Sequence, residues 1–175
     1  MMNSKLPIIG FSAYSGTGKT TLLKQVIPLL KSKGLKIAVI KHAHHHFDLD
    51  RPGKDSYELR KSGADHTIIC TTTRMAAISE FAHPDEEPSL QEIVDSLDAS
   101  KFDILLVEGY KDLAFAKIEM HRAALDKPYL YPEDPTIIAL ACDAASLDAL
   151  SIPILDINSP PQIAEFIYDE VYLKG

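Results

Sequence analysis

The sequence predicts an α/β fold in which a mostly parallel β-sheet is flanked by helices. Short apolar runs alternate along the chain with segments whose apolar residues recur at helical spacing. The strongest run is ILLV at residues 104–107, and unbroken apolar runs are typical of strands covered on both faces. The length of 175 residues favours a single domain over residues 1–175.

The predicted strands follow from these apolar runs and from the breaks between them. Residues 66–71 and 75–80 are joined by a tight connection, so we expect them to pair with each other. The prolines in residues 126–134 predict an irregular excursion. The predicted strands cover residues 6–13, 36–41, 66–71, 75–80, 104–107, 116–120, 136–141 and 152–157.

Glycine, proline and capping residues set the limits of the predicted helices. In the first helix, Pro28 predicts a kink and Gly34 predicts the end. Asp55 is expected to cap the second helix, and Gly63 is expected to end it. The predicted helices cover residues 18–33, 55–61, 89–97 and 161–173.

Composition and charge argue against several classes of protein. A formal net charge of −7 argues against a general nucleic-acid-binding protein. No stretch approaches the roughly 20 apolar residues that span a bilayer, and the N-terminal residues do not indicate a signal peptide. Cys70 and Cys142 form no CxxC pair, so they indicate neither a zinc ribbon nor a thioredoxin-like motif. We therefore expect a cytoplasmic protein that binds neither nucleic acid nor membranes.

Residues 12–21 read SAYSGTGKTT and follow the first predicted strand. The phosphate-binding P-loop has the pattern G-x-x-x-x-G-K-[ST] between a strand and a helix. Its first glycine is replaced by Ala13, which must keep a negative φ. Gly16 and Gly18 still allow the backbone to curl round a phosphate, so the segment predicts a P-loop NTPase fold.

Each residue of this loop has an expected role. Main-chain amides would cradle the phosphates, and the helix N-terminus would add positive potential. Lys19 would reach the β- and γ-phosphates and serve catalysis, while Thr20 would bind Mg²⁺ and Thr21 would lie near the α-phosphate. The predicted nucleotide-binding residues are Ser15, Gly16, Thr17, Gly18, Lys19, Thr20, Thr21 and Asp143.

A nucleotide-bound Mg²⁺ needs a carboxylate at the carboxyl end of a neighbouring strand. Glu108 ends the apolar strand of KFDILLVEGY and is the better candidate, since Asp103 precedes that strand. Asp48 and Asp50 are two residues apart and share a side in an extended segment, so they offer a metal or switch element. The predicted magnesium ligands are Thr20, Glu108 and Asp48, with Glu108 also counted as catalytic.

The segment KHAHHHFDLDRPGKD follows the second predicted strand and is rich in histidine. Such a cluster can bind a transition metal, donate hydrogen bonds to phosphate, or simply be solvated. Its histidines are His42, His44, His45 and His46. Lys41, Lys54 and Arg60 add positive charge where an anionic second substrate would lie.

The residue that recognises the base is less obvious. Many GTPases use [NT]KxD at the end of a late strand, and this tetrad is missing. Asp143 ends the strand of TIIALACD and is a candidate, with a strand-end or helix-capping aspartate as the alternative. Arg74 and Arg122 are candidates for a hydrolysis-promoting arginine only by elimination, so slow or partner-dependent turnover is expected.

Three motifs together resemble the molybdopterin-guanine dinucleotide biosynthesis protein B (MobB) family. They are SGTGKTTLL, IKHAHHHFDLDRPGKDSYELRKSGA and DILLVEGYK, with weaker matches at ALACD and ILDIN. The resemblance implies a cytoplasmic GTP-binding adaptor with weak GTPase activity in molybdenum cofactor biosynthesis. Its partners would be molybdopterin and the molybdenum cofactor guanylyltransferase, which attaches GMP to molybdopterin.

The same resemblance implies a homodimer with a P-loop core and an added β-hairpin region. We infer that residues 66–80 and 116–130 supply the hairpin material, because both are rich in predicted strand. By position, the resemblance assigns GTP and Mg²⁺ to the P-loop residues, and places residues 42–50 and Arg60 near the active centre.

Two functions of other classes stay open on the residues alone. A metallochaperone-type GTPase, for example for nickel, is favoured by the histidine cluster and disfavoured by the missing [NT]KxD. A small-molecule kinase is permitted by the P-loop, although the sequence shows no arginine-rich lid.

Overall fold

The computed structural model describes residues 4–43, 48–83, 87–144 and 150–174. The chain divides into two compact units, residues 1–42 with 90–175, and residues 43–89. The expectation of a single domain over residues 1–175 stays a prediction. None of the helices in the described part of the chain has the length and apolar composition needed to cross a bilayer.

The described residues of the first unit form six strands and three α-helices, the last of which continues as a π-helix. Its strands are β1 (Ile8–Ser12), β2 (Ile37–Lys41), β5 (Ile104–Glu108), β6 (Lys117–His121), β7 (Ile137–Cys142) and β8 (Ile154–Asp156). Its α-helices are α1 (Lys19–Ser32), α3 (Leu90–Ser96) and α4 (Pro160–Phe166), and α4 continues as a π-helix over Ile167–Tyr172. α1 runs through Pro28 without ending, and Gly34 follows it with a φ of 91° as predicted.

The six strands form one parallel sheet in the order β2-β5-β1-β6-β7-β8. Helices cover both faces of this sheet. α1 and α4 pack on the face that carries Ile9, Phe11 and Ile118, and α3 packs on the opposite face against Leu105 and Val107. The predicted parallel α/β fold is therefore confirmed. Because all six strands run the same way, their carboxyl ends meet along one edge, where ligands of such sheets bind.

Strand β6 has an unusual polar face. Ile118 and Met120 point into the core beside α1, whereas Lys117, Glu119 and His121 point to the other face and are also buried. The segment after β6 satisfies Glu119, whose two carboxylate oxygens accept N–H bonds of 2.8 and 2.7 Å from Leu130 and Tyr131. Burial raises the pKa of Glu119, although these two bonds and the nearby His121 lower it in part.

This raised pKa predicts a pH-dependent stability. Between the ordinary glutamate pKa and the raised one, the folded chain keeps a proton on Glu119 that the unfolded chain has released. The free energy of unfolding should therefore decrease as the pH rises through this window. We expect Glu119→Gln to flatten the decrease, measured by urea unfolding at several pH values between about 4 and 7. Glu133→Gln, at an exposed site on the same segment, is the control and should keep the wild-type slope. An unchanged slope in Glu119→Gln would refute the assignment.

The described residues of the second unit form helix α2 and a hairpin. α2 covers Asp55–Lys61, and the hairpin consists of β3 (His66–Cys70) and β4 (Met75–Ser79), which pair antiparallel as predicted. Alternate residues of both strands are exposed, and Ile68 and Met75 have exposed fractions of 58% and 69%. A two-stranded hairpin is only marginally stable alone in water, and in this unit α2 contacts β3.

The structure corrects three expectations about these elements. Residues 116–130 do not form a hairpin, because β6 lies inside the parallel sheet between β1 and β7 and an irregular segment follows it. The cap of α2 is Lys54, and Asp55 is its first residue. The predicted final helix changes from α to π at Ile167, a switch that apolar periodicity does not reveal.

Candidate functional site

The loop between β1 and α1 has the backbone geometry of a phosphate cradle. Gly16 and Gly18 have φ angles of 85° and 96°, values that residues with a side chain rarely adopt. In the described residues other than glycine, positive φ occurs at Tyr110 and Asp126 and not at Ala13, so alanine replaces the first glycine of the pattern without strain. Gly18 precedes α1 and has no side chain that would cap the first N–H groups of the helix, which leaves them directed at an anion.

Two side chains hold the loop in this shape. The Thr17 hydroxyl is buried and donates to the Tyr14 carbonyl over 2.8 Å. The Lys19 ammonium arches back over the loop and donates to the Ala13 carbonyl over 3.1 Å. In contrast, Thr20, together with residues 15–16 and 21, is exposed. The loop therefore presents glycine backbone, hydroxyls and one ammonium group outward, a donor set that fits a phosphate chain.

Lys19 and Glu108 lie at the same edge of the sheet. Glu108 ends β5 and pairs in register with Phe11 on one side and Lys41 on the other. Its Oε2 lies 3.5 Å from Lys41 Nζ. Partial burial lowers the pKa of Lys19, and Lys41 lowers it further, while the opposite charge of Glu108 raises it. One carboxylate is thus placed between two lysines, where it can take part in a magnesium shell next to Thr20.

A tight turn follows Glu108 and packs on the end of β2. Gly109 and Tyr110 both have positive φ, 101° and 52°, and the Tyr110 ring stacks on the His42 ring with centroids 4.6 Å apart. A Cβ placed on Gly109 would lie 2.6 Å from the Cβ of His42. The close approach holds His42 and Tyr110 beside the predicted magnesium carboxylate.

Gly109→Ala should therefore destabilise the protein by about 2–4 kcal/mol, from the left-handed backbone and the clash together. The measurement is the free energy of unfolding in urea. Gly34→Ala is the matched control, since Gly34 has a φ of 91° and no heavy atom within 4 Å of a built Cβ. The free energy of unfolding of Gly34→Ala should decrease by only about 1–2 kcal/mol. An equal decrease in the free energy of unfolding of the two variants would show that the contact with His42 adds nothing to the cost of Gly109→Ala.

The predicted base-recognition residue, Asp143, has both of its partners just after the end of one other strand, β6. Its Oδ1 accepts the Ala123 N–H over 2.9 Å, and its Oδ2 lies 3.2 Å from Arg122 Nη1. Arg122 also donates to Asn158 Oδ1 over 2.6 Å. Nothing in the sequence distinguishes Asn158 beyond its position after the last strand, in ILDIN.

The second unit contains the other predicted magnesium ligand, Asp48. The Arg60 guanidinium is buried and pairs with Asp48 over 2.6 Å and with Glu80 over 2.5 Å. Asp48 is thus engaged by an arginine, and its participation in a magnesium shell with Thr20 and Glu108 stays a prediction. His44, His45 and His46 lie outside the described residues, and among the described ones no three His, Cys, Asp or Glu side chains converge as a metal site would require.

A parallel sheet whose first strand leads through a glycine-rich curl into a helix defines a protein of P-loop NTPase fold. The family described as "Molybdopterin guanine dinucleotide synthesis protein B", or MobB, matches residues 8–143. The chain belongs to this family, as its motifs predicted.

Relatives and solved structures agree with this assignment. The chain is 45% identical to the molybdopterin-guanine dinucleotide biosynthesis adapter protein of Escherichia coli (strain K12), over 94% of this chain and 93% of that protein. It is 38% identical to the adapter protein of the same name from Haemophilus influenzae, over 95% and 90%. A crystal structure of molybdopterin-guanine biosynthesis protein B superimposes with a TM-score of 0.72 at 25% identity, covering 94% of this chain and 99% of that one.

Proposed function

We propose that the chain is a GTP-binding adapter that assists the attachment of GMP to molybdopterin and hydrolyses GTP only weakly. Membership of the MobB family assigns it an adapter role in molybdopterin-guanine dinucleotide biosynthesis. The observation that supports nucleotide binding is the curl at Gly16 and Gly18, with Lys19 folded over it. Weak hydrolysis is proposed because Lys19, Thr20 and Glu108 provide binding and charge, while an arginine directed at the γ-phosphate is not evident from the sequence.

The proposed nucleotide is held as its magnesium complex. Thr20 and Glu108 would hold the ion, which would neutralise charge on the β- and γ-phosphates when bound. The role of Asp48 stays a prediction from the sequence. Residues 15–21 would hold the phosphates, and Asp143 would accept hydrogen bonds from the base. Lys41, 57% exposed beside Glu108, adds a second cation at this edge.

The proposed partners are molybdopterin and the molybdenum cofactor guanylyltransferase, and the proposed location is the cytoplasm. We also propose a homodimer. The hairpin unit supports it, because its exposed large apolar residues need burial against another surface. They are Leu49, Leu59, Ile68, Met75 and Phe81.

The nucleotide part is tested by competition between GTP and ATP, in Mg²⁺, for a fluorescent triphosphate bound to the full chain. We expect GTP to compete at least tenfold better. Failure of both nucleotides to bind would reject the proposed function. Tight binding of Ni²⁺ or Zn²⁺ in calorimetry, without a preference for GTP, would support the metallochaperone alternative instead.

The adapter part is tested with the purified guanylyltransferase. We expect co-purification and a higher rate of molybdopterin-guanine dinucleotide formation when the chain and GTP are present. Neither contact nor stimulation would reject the adapter role even if GTP binds. Light scattering on the chain alone tests the dimer, and a monomer mass at micromolar concentration would contradict it.

A further inference from the structure

Three side chains meet where β6, β7 and β8 end. Arg122 follows β6, Asp143 follows β7, and Asn158 lies two residues after β8. A single guanidinium nitrogen of Arg122, Nη1, lies 3.2 Å from Asp143 Oδ2 and 2.6 Å from Asn158 Oδ1. The main-chain N–H of Asn158 donates to Asp156 Oδ1 over 2.8 Å. This bond holds the backbone of Asn158 in place.

This cluster lies on one side of the phosphate loop, and the predicted magnesium carboxylate lies on the other. The strand order is β5-β1-β6-β7-β8, and the P-loop follows β1. Glu108 ends β5 on one side of β1, and the cluster lies at the ends of β6, β7 and β8 on the other side. The turn after Arg122 reaches the loop itself, since a Cβ on Gly16 would lie 3.9 Å from Leu125 Cδ2. A nucleotide whose terminal phosphates point toward Glu108 therefore extends its base toward Arg122 and Asp143.

The cluster keeps unused hydrogen-bonding capacity. The side chains of Arg122 and Asp143 are 32% and 25% exposed. Arg122 uses both protons of Nη1, and its three remaining N–H groups contact no acceptor in the described part of the chain. Each oxygen of Asp143 accepts one hydrogen bond and can accept a second. The pKa of Asp143 is lowered, chiefly by the Ala123 N–H and then by Arg122, so its carboxylate is ionised and only accepts.

Guanine is complementary to this arrangement. Along one edge it presents the 2-amino donor, the N1–H donor and the O6 acceptor, whereas adenine presents an acceptor at N1 and a donor at the 6-amino group. A carboxylate beside a guanidinium offers two acceptors next to a donor. The same pair faces adenine with an acceptor against N1 and a donor against the 6-amino group, and both contacts are mismatched.

We infer that Arg122 is a specificity-determining residue that donates to O6 of guanine, and that Asn158 positions it beside Asp143. The inference rests on the proposed function and deepens it, since it states why GTP is chosen over ATP. It also removes Arg122 from the candidates for a hydrolysis-promoting arginine, because Arg122 lies across β1 from Glu108.

The test measures the affinities of GTP, ITP, ATP and XTP in Mg²⁺ by displacement of a ribose-labelled fluorescent triphosphate from the full chain. GTP and ITP both carry O6, so Arg122→Ala should weaken both by the same factor, about tenfold, and should not weaken ATP, which has no O6. Asn158→Ala should weaken GTP by a smaller factor in the same direction. Lys127→Ala, an exposed cation on the same segment, is the matched control and should retain the wild-type preference.

A second variant tests the acceptor side through a gain of binding. Xanthine carries an oxygen in place of the 2-amino group, so Asp143→Asn, whose amide can donate to that oxygen, should raise the XTP-to-GTP affinity ratio at least tenfold. Asp126→Asn, at an exposed site between Arg122 and Asp143 in sequence, is the control. A higher XTP-to-GTP affinity ratio requires a variant that still binds XTP, so unfolding of Asp143→Asn cannot produce this result.

The outcomes separate this inference from the proposed function. If wild-type chain binds GTP, and Arg122→Ala leaves the GTP-to-ATP ratio within twofold of wild type, the role of Arg122 is overturned while GTP binding stands. An unchanged XTP-to-GTP ratio in Asp143→Asn overturns the complementarity argument in the same way. If wild-type chain binds no triphosphate, the proposed function fails first and the inference fails with it.

Discussion

Replacement of Lys19 by alanine is expected to weaken binding of a magnesium-bound nucleoside triphosphate by about 100-fold. The Lys19 ammonium already lies over the loop, 3.1 Å from the Ala13 carbonyl. It is therefore positioned before the ligand arrives, and little side-chain entropy is lost on binding. A hydrogen bond to a charged group contributes roughly 1.5–3 kcal/mol, and two such bonds account for a factor of this size.

Displacement of a fluorescent triphosphate measures this loss directly. Lys24→Ala removes a cation at an exposed site on the same helix, and it should bind within about twofold of wild type. The free energy of unfolding of Lys19→Ala should change by less than about 1 kcal/mol, since the variant loses one hydrogen bond to a carbonyl. Unchanged affinity in Lys19→Ala would mean that the loop does not hold a phosphate chain.

Replacement of Lys117 by methionine is expected to lower the free energy of unfolding by about 3–5 kcal/mol. Lys117 lies on central strand β6 with an exposed fraction of 2%. Its ammonium contacts Asp134 Oδ2 at 2.7 Å and the carbonyls of Lys111 and Leu113 at 2.7 and 2.8 Å. Methionine has a similar shape but no charge, so two carbonyls and the carboxylate of Asp134, which is 24% exposed, lose their partner.

Urea and thermal unfolding measure this effect, and for a chain of this size the melting temperature should fall by roughly 10 °C. Lys101→Met is the matched control, because Lys101 also pairs with an aspartate, Asp98, but is 71% exposed. A surface pair contributes about 0–1 kcal/mol. Losses of the same size in both variants would contradict the view that burial of Lys117 makes its contacts important for stability.

Lys19 and Lys117 are expected to affect different properties of the protein because they lie in different parts of the sheet. Lys19 lies at the carboxyl edge, where parallel strands end and ligands bind. Lys117 lies inside the sheet and ties the connection at residues 111–113 to Asp134. Replacement of Lys19 should therefore weaken binding with little change in stability, whereas replacement of Lys117 should mainly lower stability.

The sequence by itself determined the features that depend on neighbours along the chain. The P-loop is such a feature, since Gly16, Gly18 and Lys19 act within one turn of backbone and the following helix. The parallel sheet is another, because most of its strands are covered on both faces and read as near-continuous apolar runs. The hairpin at residues 66–80 also followed from the short connection between its strands. For these reasons the fold and the phosphate loop were predictable without coordinates.

Only the tertiary structure decided which distant residues meet. Arg122 and Asn158 are 36 residues apart in sequence, and their contact depends on the order of β6, β7 and β8. The polar face of β6 was hidden for a related reason: Lys117 and Glu119 alternate with apolar residues as on a solvent-exposed strand, and only the segment that covers them makes them buried. Residues 116–130 form no hairpin, although their content of predicted strand favours one, because β6 pairs with β1 and β7. Sequence patterns report local periodicity, whereas strand order and the covering of each face depend on how the whole chain closes round its core.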